Sequence, residues 1–427
     1  MRAVKYVSYW HDTAAPFDGA ARHAPAEAWD VAVIGAGFTG LAAALRLARG
    51  GARVVVLEAE RVGFGASGRN GGHLNNGLAH SYLGAKADLG AERAKALYRA
   101  FDASIDRIEA LVAEEGIACD FRRAGKLKLA SKPAHFDAIA RNFAALNAEV
   151  DPDTALLSAA DLAGEVGAHF HGAMLSRKSA MMHMGKYVAG LAAAAVRAGA
   201  VIHEGTPVTK VAPIPGGHRL TTPAGELTAA EVFLASGAYT GLAFGHFRRR
   251  IIPVGSFLIA TRPLTEAEAQ SVMPGNRTCV NSMNIGNYWR LAPDRRLIFG
   301  GRARFSARSD QRSDAKSGAI LRASLARIFP QLAQVQIDYC WGGLVDMSAD
   351  RLPRAGRAEG LWYAMGYSGH GAQLSTHLGM MMADRILGHP VDNPLEGMDW
   401  PAVPGHFGQP WFLPLVGLYY RGVDLVR

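Results

Sequence analysis

Charge is scarce in this chain of 427 residues: Asp, Glu, Lys and Arg together make up 19%, against 49% hydrophobic residues. A composition so apolar buries a core, which excludes a disordered or collagen-like polymer. Cysteine is scarcer still. Cys119, Cys279 and Cys340 are the only three, far apart, with no CxxC pair and no His/Cys cluster at zinc spacing. Neither a disulfide framework nor a metal site is expected, but three reduced, partly buried thiols. Long hydrophobic runs are also missing. The longest, Val31 to Ala48, is broken by Gly35, Gly37, Gly40 and Arg46, and Trp411 to Tyr420 is short and interrupted by Pro414; no transmembrane segment is expected. The stretch from Met1 to Trp10 lacks the apolar centre of a signal peptide, so the expected location is cytoplasmic. The net charge of +9 is scattered, with Arg248, Arg249 and Arg250 as the one notable run. Nucleic-acid binders concentrate their charge, so no nucleic-acid partner is expected, and small molecules are favoured.

What the chain has in quantity is glycine, 49 residues, placed where chemistry needs it. Asp30 to Ile34 reads as a buried strand stopped by Gly35. A helix follows from about Thr39 to Arg49, then a second strand from Arg53 to Glu58, a β-α-β unit of about thirty residues. Between strand and helix lies Gly35-Ala-Gly37-Phe-Thr-Gly40. The first glycine permits a tight turn, the second lets a pyrophosphate approach the backbone, and the third lets helix and strand pack closely. Glu58, eighteen residues past Gly40, ends the second strand, where a carboxylate accepts hydrogen bonds from a ribose diol. A bare GxGxxG is also met as an ordinary glycine turn; with both flanking strands and Glu58 in place, a dinucleotide site is expected.

A nicotinamide enzyme continues with further β-α units. Here Arg61-Val-Gly-Phe-Gly65-Ala-Ser-Gly-Arg-Asn-Gly-Gly72 follows directly, a run of unobstructed backbone N–H groups able to wrap a pyrophosphate and pass close to a flat ring. Its bland alternative is a flexible surface loop. A second cluster, Gly366-Tyr-Ser-Gly369-His-Gly371, again joins a strand (Leu361–Met365) to a helix reaching about Leu387. Its helix N-terminus suits negative charge on the N1/O2 edge of a reduced flavin. Other helices are expected at Ala91–Glu115, Phe136–Leu146, Ser179–Ala198 and Ala315–Phe329. Strands are expected at Lys126–Ala130, 201–203, 231–235, 257–260, 288–291 and 297–299, with a hairpin over 208–231 turning at Gly216-Gly217.

Together the three glycine segments resemble the FAD-dependent D-amino-acid oxidase superfamily, and within it the γ-glutamylputrescine oxidoreductase branch. The resemblance runs from Ser8-Tyr-Trp through VIGAGFTGLAAALRLA and VVVLEAERVGFGASGRNGGH, Ile117 to Phe121, Ile337 to Gly343 and Asp350 to Gly356, and ends on MGYSGHGAQLSTHLG. It implies an α/β (α+β) fold in which a Rossmann-type FAD-binding domain is interleaved with a mixed-sheet substrate-binding domain. By position, the FAD domain takes 29–85, 165–250 and 335–390, and the substrate domain 86–164 and 251–334. Residues 1–28 form a lead and 391–427 a tail packed on the body. The resemblance implies non-covalent FAD, with Val208 holding adenine through its backbone and Ala66, Ser67, Asn70, Gly71 and Gly72 along the pyrophosphate and ring. Gly369, His370 and Gly371 face the pyrimidine edge; Phe38, Thr39, Ala59, Gly65, Gly237, Gly366 and Gln373 complete the set.

It further implies an amine donor, small and most plainly a γ-glutamylated amine such as γ-glutamylputrescine, oxidised by hydride transfer to flavin N5, giving an imine and then an aldehyde. Another amine or an amino acid, and an NAD-binding or non-catalytic protein, stand as alternatives. Three positions depart from sarcosine-oxidase-like relatives: Gly343 stands where some attach flavin through cysteine, Gln373 where a lysine holds the substrate carboxylate, and Ile298 where a lysine activates oxygen. The acceptor is therefore O₂ or another oxidant. His73, Tyr288, Arg302 and Trp341 are the candidate substrate-positioning residues, His73 by virtue of an ordinary near-neutral pKa and Arg302 as a carboxylate clamp. His183 and Tyr187 are expected to be packing residues.

Overall fold

The computed structural model describes residues 3–25, 27–306, 311 and 315–426. Two eight-stranded sheets carry it. The first has the spatial order Arg354–Ala358, Leu361–Met365, Gly225–Leu234, Ala28–Ile34, Val54–Leu57, Val201–His203. The strands from Leu361–Met365 to Val201–His203 run parallel, and Arg354–Ala358 is an antiparallel edge. Val31 and Val33 point to one core and Ala32 and Ile34 to another, which is why the strand reads as an unbroken apolar run: a parallel sheet is covered on both faces. The helices Phe38–Arg49, Gly371–Ile386 and Met184–Arg197 cover one face. The other is covered by the hairpin Lys210–Ile214/Gly217–Thr222, which pairs onto Gly225–Leu234, together with Phe244, Phe247 and Ile251.

The second sheet has the order Ile337–Met347, Ile252–Thr261, Leu297–Arg304, Tyr288–Leu291, Thr278–Asn281, Lys126–Leu129, Gly172–Ser176, Thr154–Ser158. It is antiparallel except where Thr278–Asn281 meets Lys126–Leu129. Leu127, Leu129, Phe257, Ile259, Trp289 and Phe299 fill the core on one face beneath the helix Ala315–Ile328. The opposite face turns toward the first sheet.

The elements follow the expected pattern with informative exceptions. The helix expected from Ser179 begins only at Met184; Ala180–Met181 instead pairs with His73–Leu74 as a two-stranded ribbon. The strand Ile337–Met347, eleven residues long, is masked in the sequence by its Trp341-Gly342-Gly343 centre, and Gly172–Ser176 by its small residues. Both belong to the second sheet, although their positions suggested the FAD domain. Conversely, the helix Ala91–Glu115, expected with the substrate domain, packs on Gly371–Ile386 beside the first sheet. The tail ends in a helix, Leu413–Val426, opened at Pro414, a position where the missing N–H costs nothing. Among the described residues, no helix is long and apolar enough to cross a membrane.

Candidate active site

One cavity of about 900 Å³ runs between the two sheets, near the upper end of the range for small-molecule sites. At its nucleotide end the strand Ala28–Ile34 turns at Gly35, whose φ of +107° suits glycine. A Cβ on Gly40 would lie 1.9 Å from the Gly35 carbonyl oxygen, so helix and turn touch only because that side chain is absent. The helix Phe38–Arg49 opens on Gly37 with no acidic residue in its first turn, leaving its positive end to face the cavity. Ser67 Oγ accepts the Phe38 N–H at 2.9 Å, pinning the second glycine segment against the first. Glu58 accepts the N–H groups of Ala36 at 2.7 Å and Glu60 at 3.0 Å. Burial raises its pKa against these bonds, and its remaining lone pairs line the cavity with Ala59 and Val208.

The glycine loop is not a flexible surface segment. Ser8 Oγ donates to Gly68 O at 2.6 Å and Trp10 Nε1 to Asn70 O at 2.6 Å, so the lead, which looked irregular, forms a short helix at Tyr9–Thr13 that holds the loop. From the other side Trp341 Nε1 donates to Arg69 O at 2.9 Å, Arg69 Nη1 to Gly342 O at 3.0 Å, and Arg290 Nη1 to Gly72 O at 2.6 Å. Gly65, Ala66, Ser67, Asn70 and Gly71 line the cavity. Trp341 and Gly72 are behind it, part of the scaffold. Trp341 is thus displaced from its expected substrate-facing role because its indole N–H is committed to the loop.

Gly237, Gly369, His370 and Gly371 line the opposite wall. Asp346 organises this turn: its Oδ2 accepts the Gly366 N–H at 2.7 Å and its carbonyl the Ser368 N–H at 3.0 Å. Burial pushes the Asp346 carboxyl up to about 6, opposed by the N–H groups it accepts. Thr39 Oγ1 and Tyr367 OH, 2.8 Å apart, join this turn to the first helix. Gly366 and Gln373 stand behind the lining; Gln373 Nε2 donates to Asn75 O at 2.5 Å, which ties down the loop after His73. Gly40 likewise lies behind the cavity wall, as packing requires.

The second sheet closes the cavity with Ser256 and the segment from Gly343 to Asp346, and with one rank of residues that crosses the whole sheet. Trp341, Leu258, Gly300, Tyr288, Val280, Lys128, Met174 and Leu156 stand opposite one another across all eight strands. Side chains opposite one another share a face, and Leu258, Tyr288 and Val280 line the cavity. A Cβ on Gly71 would come within 2.8 Å of the Tyr288 ring, and one on Gly300 within 2.3 Å, so this ring occupies a slot made by two missing side chains. His73 lies edge-on to it, ring centroids 5.5 Å apart. Burial, then the charges of Arg290 and Lys126, push the His73 pKa down to about 3. The near-neutral value expected of it is therefore corrected: this imidazole stays uncharged at physiological pH. His370 is driven down to about 3 by burial first, then by the charges of Lys126, Arg351 and Lys128. Arg302 has its backbone opposite Phe257; its side chain lies outside the described residues. His183 and Tyr187 are packing residues, bonded to Thr13 and Thr376.

His73 Nε2, Asn75 Oδ1 and His370 Nδ1 are buried without a partner among the described residues, and all three residues line the cavity. Unpaired buried polar atoms are costly, so their number here marks a binding site. An uncapped helix end at one extreme, a glycine-lined slot in the middle and orphaned polar atoms at the other fit a dinucleotide that carries a flat, polar-edged ring. Asp346, Ser256, Asn75, Arg290 and Lys128 escaped the sequence reading. Only the Lys-Leu-Lys-Leu alternation, which puts both lysines opposite the core face, was a usable signal.

The family described as FAD dependent oxidoreductase (DAO) matches residues 30–385. A probable oxidoreductase OrdL of Haemophilus influenzae is 36% identical over 415 residues, 93% of this chain and 92% of that protein. The gamma-glutamylputrescine oxidoreductase of Escherichia coli is 32% identical over 369 residues, 84% of each chain. The crystal structure of glycine oxidase from Geobacillus kaustophilus superposes with a TM-score of 0.77 at 24% identity, covering 89% of this chain and 100% of that one.

Proposed function

The chain belongs to the DAO family of FAD-dependent oxidoreductases, acting on the CH–NH bond of amines or amino acids, and we propose that its donor is γ-glutamylputrescine or a similar γ-glutamylated amine. The observation that carries this reading is the character of the wall around Tyr288. Leu258, Val280 and the uncharged His73 surround it, and among the described residues the one guanidinium lining the cavity, that of Arg69, is committed to the carbonyls of Phe64 and Gly342. Such a wall suits the aliphatic carbons of a polyamine better than the carboxylate of a simple α-amino acid, and Gln373, held to Asn75, supplies no cation there. The named activity of the Escherichia coli relative supports the same donor.

Bound FAD supplies the electron acceptor for a C–H bond adjacent to nitrogen. The residues of the chain bind, orient and exclude water. Tyr288, Leu258 and Val280 pack the carbon chain and hold its C–H bond in one direction. His73 Nε2, unprotonated, accepts a hydrogen bond from the amine N–H and so fixes the nitrogen. With its pKa depressed to about 3 it cannot take a proton from an alkylammonium, so the amine gives its proton to solvent before it docks and meets the neutral imidazole as a neutral amine. Asp346 and the helix end at Gly371 define the opposite rim. The reaction belongs in the cytoplasm, where the thiols of Cys119, Cys279 and Cys340, all buried and none in a disulfide, stay reduced.

The test is product analysis. Purified, FAD-loaded protein is offered γ-glutamylputrescine, putrescine, glycine and sarcosine, and aldehyde or keto acid is trapped as a hydrazone. A γ-glutamylated aminoaldehyde formed in preference to the other products supports the reading; glyoxylate as the main product would overturn it. Running the reaction with and without air, and with an artificial acceptor, identifies the oxidant.

A further inference from the structure

The strand Lys126–Leu129 has a purpose that the cofactor does not absorb. Leu127 and Leu129 are buried in the second core, so Lys126 and Lys128 project from the face that looks toward the cavity. Lys126 is committed: its Nζ donates to Asn76 O at 3.0 Å, in the field of Asp102 and Asp151. Lys128 differs. Among the described residues no hydrogen bond or ion pair engages its ammonium, it is half-buried, and burial, then the charge of another cation, Arg351, disfavours its charged form. Its register partner is Val280, which lines the cavity, Lys128 itself standing one strand beyond that lining, and the next residue in the rank after Val280 is Tyr288. The charges of Lys126, Arg351 and Lys128 all act on His370, itself a lining residue. A cation withdrawn from water without an anion is a costly arrangement, and here three cations converge where the protein provides no paired carboxylate to Lys128.

We propose that Lys128 is the binding residue for a carboxylate at the far end of the substrate from the oxidised amine. This rests on the proposed amine-oxidising function and names its substrate class. One strand separates that of Lys128 from that of Tyr288, so the two positions are about 10 Å apart at roughly 4.8 Å per strand. An α-amino acid, whose carboxylate sits one carbon from its amine, does not bridge that interval. A γ-glutamyl group joined through its side-chain amide to a diamine does, presenting its terminal amine at Tyr288 and His73 and its carboxylate at Lys128. Asn75 Oδ1, buried and unpartnered on the same loop that Lys126 anchors, is an acceptor for the ammonium that accompanies that carboxylate.

The experiment compares FAD-loaded wild type with Lys128→Met and Lys128→Arg, each checked for flavin content and melting temperature. For γ-glutamylputrescine, Lys128→Met is expected to raise KM about ten- to a hundredfold, the worth of one charge-assisted hydrogen bond, with kcat nearly unchanged. KM for putrescine, which has no carboxylate, is expected to stay the same, and Lys128→Arg is expected to recover most of the loss. Binding is also read without turnover, by calorimetry with γ-glutamylbutylamide, which keeps the carboxylate and lacks the oxidisable amine; it is expected to weaken by the same factor. Equal KM shifts for both amines, or unchanged γ-glutamylbutylamide affinity in Lys128→Met, would overturn the assignment. Lys128-dependent binding of γ-glutamylbutylamide in a protein that oxidises no γ-glutamylated amine would uphold the anion site and sink the functional reading instead.

Discussion

The nucleotide end of the cavity is built by residues close together in the chain, whereas the sheet-facing end draws its residues from several strands scattered between Lys126 and Met347. Gly35 to Gly40 and Gly63 to Gly72 are continuous segments whose backbone does the binding, so their function is written in spacing. The wall of Leu258, Tyr288 and Val280 exists only once strand register has aligned them. A side chain in the first region is constrained by the dinucleotide common to a whole family. In the second it is constrained only by its particular substrate. The difference teaches where a resemblance is informative: it carries the cofactor with it, and leaves the donor to be read from the rank across the second sheet.

The sharpest way to break the comparison is Gly40→Val. With a Cβ already 1.9 Å from the Gly35 carbonyl oxygen, the larger side chain forces helix and strand apart. A loss of at least about 3 kcal/mol is expected, together with loss of the flavin absorption bands. A variant that remains yellow and stable would show that this turn does not have to be tight.

Arg290→Leu tests whether the two regions are coupled. The buried guanidinium donates to Gly72 O at 2.6 Å and Met182 O at 2.9 Å, joining a strand of the second sheet to the glycine loop and the ribbon behind it. Removing it strands the buried Met182 carbonyl and leaves Gly72 O with only the Met182 N–H at 3.3 Å, for an expected loss of about 2–3 kcal/mol by urea unfolding, and flavin dissociates faster during gel filtration. Unchanged flavin retention would mean that the two regions stand independently.

The third test uses acid. His73 has its pKa lowered to about 3, so between that value and the unfolded value of about 6.5 the unfolded chain binds a proton that the native protein refuses. Stability therefore rises with pH through this window and is lost as pH falls below about 6.5, by up to ~1.4 kcal/mol per pH unit. His73→Gln is expected to lose about 2 kcal/mol less than the wild type between pH 7 and pH 5, measured as urea midpoints on apoprotein. Identical losses would place His73 in contact with water.

These contrasts explain what was legible beforehand. The β-α-β unit could be read because burial on both faces leaves an unbroken run such as Val31 to Ile34, and because Gly35, Gly37 and Gly40 have no substitutes at their contacts. The strand Ile337–Met347 hid behind Gly342 and Gly343, whose smallness serves packing against Phe257 and Arg69 and weakens any strand signal. Trp341 was visible as a large residue near the cofactor, yet its partner, the Arg69 carbonyl, is 272 positions away in the chain. His73 was found by its neighbours Gly71 and Gly72, but the burial that sets its charge comes from Tyr288 and the second sheet. Asp346 had no local signature at all, since its acceptor role depends on the turn at Gly366.

The smallest effect sharpens the comparison from the far side. Thr265 and Glu268 form a reciprocal cap on the helix Glu266–Val272, with the Glu268 N–H donating to Thr265 Oγ1 at 3.2 Å. Thr265→Ala is expected to cost about 1 kcal/mol without altering flavin content, because this helix packs on the second core away from the cavity. Flavin loss there would erase the distinction between the two regions.

The most direct test of the central claim is an anaerobic absorption titration of the FAD-loaded protein with γ-glutamylputrescine. The account predicts that the flavin bands bleach in proportion to added substrate and are exhausted near one equivalent. Bands that stay unbleached with γ-glutamylputrescine but fade with glycine or sarcosine would contradict it.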